Sequence, residues 1–199
     1  MYPVTMNVAD DTQRFRALYS ANYARISGYA VRRTPSPEDA ADVVADTFTI
    51  AWRKFDDIPA GDEAILWLYG VARKVLSNHG RRRESRSVVF AMLARDYQEA
   101  VWADPPPGEG VGRQVAGAWK ALSAEDRDLL GLLVWETLSV EQIAAVVGCS
   151  RAVAKVRVHR ARRRFARELE RRGYPLKPET AARHVRVGRA EALPDSEAM

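Results

Sequence analysis

Apolar residues fall in separate runs along this chain, and within most of them they recur at steps of three and four, the spacing that puts side chains on one face of an α-helix. Phe15, Leu18, Ile26 and Tyr29 share one such face. Pro35-Ser36-Pro37 ends that helix and prepares the next, because proline suits a first helical turn. Over residues 38–55, Val44, Phe48, Ala51 and Phe55 form a second apolar stripe, with Asp39, Asp42 and Asp46 on the far side. A third helix is predicted over residues 63–80, with Asp62 as N-cap and Ile65, Leu68, Ala72 and Val75 as its buried stripe. Trp67, Tyr69, Arg73, Lys74, Ser77 and Asn78 lie off that stripe.

The period then breaks. Residues 104–112, DPPPGEGVG, hold three prolines and three glycines, neither tolerated in a helix interior, and read as a linker. The glycines do not make a phosphate-cradling loop, since no strand precedes them and no Lys-Ser/Thr pair follows. Beyond the linker, residues 139–165 show two helices around a tight turn. Ser139 and Gln142 have the spacing of a capping box, and Ile143, Ala144 and Val147 give an apolar face. Gly148 supplies a left-handed residue that stops the helix, and Ser150 caps the next. In that second helix Ala154, Val158, Ala161 and Phe165 form one buried stripe, leaving Ala152, Lys155, Val156, His159, Arg160 and Arg163 on the opposite face.

The pattern predicts an all-α protein of two small helical domains joined by a flexible linker. The N-terminal domain spans residues 1–90, the linker 91–115 and the helix-turn-helix domain 116–173. Residues 174–199 form a polar tail of mixed charge, poor in large apolar groups. By length and composition alone, 199 residues with 47% hydrophobic content can fold as one domain or two small ones, each burying a modest core.

Charge changes the picture. The net charge of +5 suits a polyanionic partner, but its distribution says more. Residues 151–172 carry ten Lys or Arg against Glu168 and Glu170, an excess of eight positive charges, whereas an ordinary solvated helix mixes its signs. A basic helix after a capped turn is the layout of a DNA reader. Residues 36–63 carry eight acidic groups against Arg53 and Lys54. That acidic face suits either plain solvation or the docking of a basic partner. Carboxylates at Asp39, Asp42 and Asp46 could bind a metal in principle, yet no histidine lies nearby in sequence and an exposed helix face desolvates nothing. On the third helix, aromatic and cationic groups interleave before Arg81-Arg82-Arg83, as a single-stranded nucleic acid requires; Trp67 and Tyr69 also fit core positions.

Cys149 is the single cysteine, which excludes an internal disulfide framework. No apolar run reaches membrane-spanning length and no signal-peptide pattern opens the chain, so a cytoplasmic location is expected. His79, His159 and His184 are scattered among basic residues, which argues against an enzyme acting on nucleic acid. A dimeric helix-turn-helix repressor or activator would use the same C-terminal motif with the N-terminal helices for dimerisation.

The order of blocks narrows these alternatives. An acidic helix DAADVVADTFTIAW, then WLYGVARKVLSN with its basic run, then a linker, then the helix-turn-helix is similar to the bacterial sigma-70 superfamily, closest to the compact extracytoplasmic-function group that keeps only regions 2 and 4. The likeness covers residues 15–86 and 121–172. It implies a region 2 helical bundle and a region 4 helix-turn-helix, a sigma factor that guides core RNA polymerase to promoters, and no catalysis or cofactor of its own. Asp39, Asp42, Asp46, Phe48 and Trp52 match the segment that grips the clamp helices of the beta-prime subunit; region 4 would meet the flap of the beta subunit. Residues 55–64, with Ile58 and Gly61, match the loop that captures a flipped base of the minus-10 element. Trp67, Lys74, Asn78, Arg81 and Arg82 match the following helix and basic run at that element. Arg151, Ala152, Lys155, Val156, His159 and Arg160 match positions that enter the minus-35 major groove, while Arg157 and Arg163 are expected on phosphates. Lys74 stands where many members carry asparagine, and Val153-Ala154 where a Thr-Val pair is common. An anti-sigma factor is the further partner implied.

Overall fold

A computed structural model describes the backbone of residues 8–86 and 111–174 and the side chains of residues 10–79 and 112–174. The expected linker up to residue 110 and the expected tail from residue 175 lie outside the described residues, as do the side chains of Arg81, Arg82 and Arg83 and all of His184.

Seven α-helices make up the described residues, with no strand among them: α1 (Val8–Val31), α2 (Pro37–Arg53), α3 (Glu63–Arg86), α4 (Val111–Lys120), α5 (Ala124–Val134), α6 (Val140–Val147) and α7 (Arg151–Arg171). The all-α expectation holds. α3 continues past Gly80 to Arg86, and α4 starts at Val111, inside the stretch expected to be linker.

Local chemistry explains the starts and stops. Ser36 caps α2, its hydroxyl oxygen accepting from the Asp39 N–H at 3.1 Å with Pro37 in the first turn. Ser123 does the same for α5 through the Asp126 N–H. At Thr137, between α5 and α6, φ is +53°, a left-handed conformation rare outside glycine.

α1, α2 and α3 pack on one another around Ile26, Tyr29, Val43, Phe48, Ala51, Leu68, Ala72 and Val75. Two buried polar residues that the pattern did not mark, Asn22 and Thr47, satisfy themselves within their own helices by donating to the carbonyls of Leu18 and Val43. α4, α5 and α6 pack around α7, with a satellite cluster of Leu122, Leu130 and Ala161 under Trp119 and Phe165.

The two domains share a core. The main apolar cluster runs on from α1–α3 through Leu129, Leu132, Leu138, Ile143, Val146 and Val158. α6 lies directly against α3, so closely that a Cβ on Gly70 would sit 3.4 Å from the Val146 carbonyl oxygen. Neither helical group covers its apolar surface alone; each is the other's second layer.

Candidate nucleic-acid interface

The helix-turn-helix forms as its sequence dictates. The Ser139 side chain accepts from the Gln142 N–H at 3.2 Å, and the Gln142 side chain accepts from the Ser139 N–H at 2.9 Å, closing a capping box at the start of α6. Gly148 ends α6 at φ +70°, where a side chain would be strained. Ser150 then caps α7 through the Val153 N–H. Ala154, Val158, Ala161 and Leu169 anchor α7, and Phe165 is half-buried beside them.

Every residue expected at the minus-35 element is exposed: Arg151, Ala152, Lys155, Val156, Arg157, His159, Arg160 and Arg163. Val153 is exposed on the same helix and was not anticipated; with Val156 it adds apolar surface of the kind that meets a thymine methyl group. Two of the arginines already have acidic partners, Arg151 with Glu141 of α6 and Arg157 with Glu125 of α5 at 3.5 Å. Both are surface pairs, worth at most about 1 kcal/mol, so a phosphate can displace them. Arg164, by contrast, is held by both carboxylate oxygens of buried Asp126 at 2.9 Å and serves the fold.

The second set of expected residues is less uniform. Gly61 is exposed, while Ile58 and Trp67 are half-buried and packed against the core, so Trp67 offers only part of its ring. Lys74 and Asn78 are exposed, seven and eleven residues beyond Trp67 on α3 and therefore on the same side of that helix. Tyr69, grouped with them from the sequence, is core: it is fully buried and its hydroxyl donates to Glu136 at 3.1 Å. Arg73 is also committed, its guanidinium bonded to Asp128 at 2.7 Å. Burial works against the Arg73 cation, but the hydrogen bond and charge of Asp128 outweigh it and hold the guanidinium above its ordinary range.

On α2, Asp42 and Asp46 are exposed and Asp39 is half-buried, accepting from the Ser36 hydroxyl at 2.9 Å. The fold brings His79 of α3 within 3.0 Å of Asp46, a contact hidden in the sequence by 33 residues of separation. Trp52 is exposed and stacks edge-on against Phe15. Phe48 is only 5% exposed and cannot itself touch a partner; it seats Tyr19, whose ring lies 4.6 Å away and is exposed together with Tyr23. These two tyrosines extend the acidic face with aromatic surface, and nothing in the helical period marked them.

Residues 18–86 match the family Sigma-70 region 2, and residues 113–165 match the family Sigma-70, region 4. The ECF RNA polymerase sigma factor SigL of Mycobacterium tuberculosis is 30% identical over 176 residues, which cover 87% of this chain and 98% of that protein. This chain belongs to the extracytoplasmic-function group of sigma-70 factors. The ECF RNA polymerase sigma factor SigF of Caulobacter vibrioides is 28% identical over 162 residues, 81% of this chain and 88% of that protein. Among solved structures, the sigma factor RpoE from Bartonella quintana, crystallised with the anti-sigma factor NepR, aligns with a TM-score of 0.54 at 25% identity and covers 81% of this chain and 97% of that one. CnrH, solved with the cytosolic domain of CnrY, shares the fold at a TM-score of 0.54 and 20% identity, over 80% of this chain and 89% of that one.

As a sigma factor the chain is a transcription initiation factor that directs core RNA polymerase to promoters. No helix among its described residues is long and apolar enough to cross a membrane. The residues that sequence reasoning missed are those binding region 2 to region 4: Arg32 and Arg33 on one side, Asp128 and Glu136 on the other. One signal was available. Asp128 and Glu136 bracket the largely apolar run Leu129–Trp135 at the end of α5, and carboxylates at the margins of a buried helix need cationic partners.

Proposed function

We propose that region 4 of this sigma factor reads the minus-35 element with the exposed face of α7 and that region 2 reads the minus-10 element with residues 55–64 and α3. Lys155, Arg160 and His159, with Val156 and Ala152, face the major groove; arginine there bonds guanine O6 and N7 in bidentate fashion. Arg151 enters the same groove, while Arg157 and Arg163 hold phosphates and fix register. Ile58, Gly61, Trp67, Lys74 and Asn78 receive the separated strand, with Arg81 and Arg82 on its backbone. Asp39, Asp42 and Asp46 with Trp52 face the beta-prime clamp helices, where an acidic surface steers toward a basic one.

The observation that carries this reading is the charge separation on the surface: α7 exposes a cationic face with no acidic residue before Glu168, while α2 exposes Asp42 and Asp46. Two faces of opposite sign on one small protein suit two partners, DNA and a basic protein surface. Nucleotide addition belongs to the polymerase, so the chain works without catalytic residues or a cofactor, in the cytoplasm where polymerase and promoters are. The boundaries we assign are residues 1–90 for region 2 and 116–173 for region 4, with α4 preceding the latter. Control by an anti-sigma factor is supported by the RpoE structure with NepR.

The test is run-off transcription with core RNA polymerase from a related bacterium on a pool of genomic promoters, with and without this protein. New start sites sharing minus-35 and minus-10 sequences are expected only in its presence. No stimulation, together with tight binding of the free protein to palindromic DNA, would overturn the reading in favour of a dimeric repressor.

A further inference from the structure

The exposed face of α7 sets apolar side chains among cationic ones. Val156 lies near the middle of that face, opposite the buried stripe of Ala154, Val158 and Ala161, with Val153 and Ala152 on either side of it. Val153 is 43% and Val156 48% exposed, and neither belongs to an apolar cluster of the described residues. Helix formation does not call for them either, since the stiff χ1 of a β-branched residue makes it a poorer helix former than alanine or lysine. At steps of three and four, the three side chains are neighbours and form a patch. Charge brackets it. Arg151 pairs with Glu141 of α6 on one flank of α7, and Arg157 with Glu125 of α5 at 3.5 Å on the other.

What such a face can read follows from its atoms. In the major groove guanine offers two acceptors to arginine or lysine, whereas adenine is read by a side-chain amide and cytosine by a carboxylate. Residues 151–167 contain no Asn, Gln, Asp, Glu, Ser or Thr, and the Ser150 hydroxyl is taken up by the Val153 N–H at 3.3 Å. Apart from the His159 imidazole, the side chains of this face are donors and methyl groups. Donors favour guanine, so the feature that marks an A·T pair to this face is the thymine 5-methyl group. The spacing fits as well. Val153 and Val156 stand about 4.5 Å apart along the helix axis and base pairs about 3.4 Å apart, which lets them meet methyl groups on neighbouring pairs.

We propose that Val153 and Val156 read thymine 5-methyl groups in the minus-35 element, beside guanine contacts from Lys155 and Arg160. Selectivity at A·T pairs then comes from apolar contact and at G·C pairs from charged donors. The inference rests on the sigma reading and names what its region 4 site recognises.

The test replaces thymine by deoxyuridine, one position at a time, in the minus-35 element of a promoter that the protein activates. Deoxyuridine keeps the hydrogen bonds of the pair and lacks only the methyl group. With the full chain on core RNA polymerase at limiting concentration, initiation should fall about fourfold at each contacted position, the ~0.8 kcal/mol of one buried methyl group. Val153→Ser and Val156→Ser should each abolish the thymine–deoxyuridine difference at one position and keep it at the other. Both sites are exposed, so thermal melts should match the parent's. Tolerance of deoxyuridine at every minus-35 position overturns the proposal, and so does a difference that survives in both variants. Transcription lowered equally on all templates by the variants, with the difference kept, would assign the valines to a protein contact and overturn it too. The free protein is also titrated by fluorescence anisotropy against the genomic duplexes it binds best, with and without deoxyuridine. A valine-dependent thymine preference there, without promoter-dependent initiation, would sustain methyl reading and overturn the sigma reading.

Discussion

α3 and α7 are both long, both amphipathic and both proposed to meet DNA, yet they are packed differently. α7 takes contacts from α4, α5 and α6 along one stripe, Ala154, Val158, Ala161 and Leu169, and leaves all eight expected reading residues exposed. α3 buries its stripe, Leu68, Ala72 and Val75, against α1 and α2, and then buries the flank beside it, Tyr69 with Gly70 and Arg73, against α5 and α6. A helix's free face is what its neighbours leave uncovered. Periodicity within one helix tells where the first neighbour sits but not whether a second exists.

The largest break in this contrast should come from Leu68→Ala. Leu68 is fully buried in the cluster shared by both regions, so removing its side chain should cost about 2–5 kcal/mol, read as a lower midpoint in urea denaturation. Both regions should unfold in one transition, because the cavity opens in a common core. Two well-separated transitions would show that the cores are independent after all.

A smaller effect, about 1–3 kcal/mol, is expected from Tyr69→Phe, which leaves the buried Glu136 carboxylate one donor short. This substitution also weakens the pH dependence. Burial first, and then the nearby Glu136 charge, push the Tyr69 hydroxyl above its ordinary value near 10; burial and Asp128 do the same to Tyr29. Both tyrosines are neutral in the folded protein and ionise more readily when unfolded. The stability they contribute is therefore complete below about pH 10 and is lost as pH rises beyond it. Thermal melts from pH 8 to pH 11 should show a shallower alkaline fall for Tyr69→Phe than for the parent.

How much of this was legible follows the same line. Ser139, Gln142, Gly148 and Ser150 announced the helix-turn-helix because caps and a left-handed stop act within a few residues, and the structure has each one in place. The exposed face of α7, Ala152, Lys155, Val156, His159, Arg160 and Arg163, was legible because an excess of one charge sign leaves few packing options. The partners of Tyr69 and Arg73 could not be read, and Asp128, Glu136, Arg32 and Arg33 were passed over, because these contacts join residues 55 to 104 positions apart and no local rule connects them. Phe48 was seen as core and as contact at once; only packing shows that Tyr19 and Tyr23 carry the surface above it. His79 joined Asp46 for the same non-local reason.

Ser139→Ala tests the locally determined half. It removes the acceptor for the Gln142 N–H and half of the capping box, at a cost of about 1 kcal/mol. Because α6 packs against both α3 and α7, the loss should appear in global denaturation rather than as local fraying. Hydrogen exchange would show this as uniformly reduced protection across both regions.

The smallest effect on stability belongs to the reading face itself. Lys155 and Arg160 are exposed with no ion pair among the described residues, so the double substitution Lys155→Ala and Arg160→Ala should change folding stability by no more than about 0.5 kcal/mol. Promoter selection is a different matter, since a bidentate contact to guanine discriminates by roughly 1–3 kcal/mol per base pair. Run-off transcription on templates differing only in the minus-35 element should therefore lose its preference while binding to core polymerase persists, because the acidic face of α2 is untouched. Lost polymerase binding with preserved promoter preference would reverse the two faces. The contrast with Leu68→Ala is then complete: on α3 a buried residue carries stability for both regions, whereas on α7 the exposed face is free to be spent wholly on recognition.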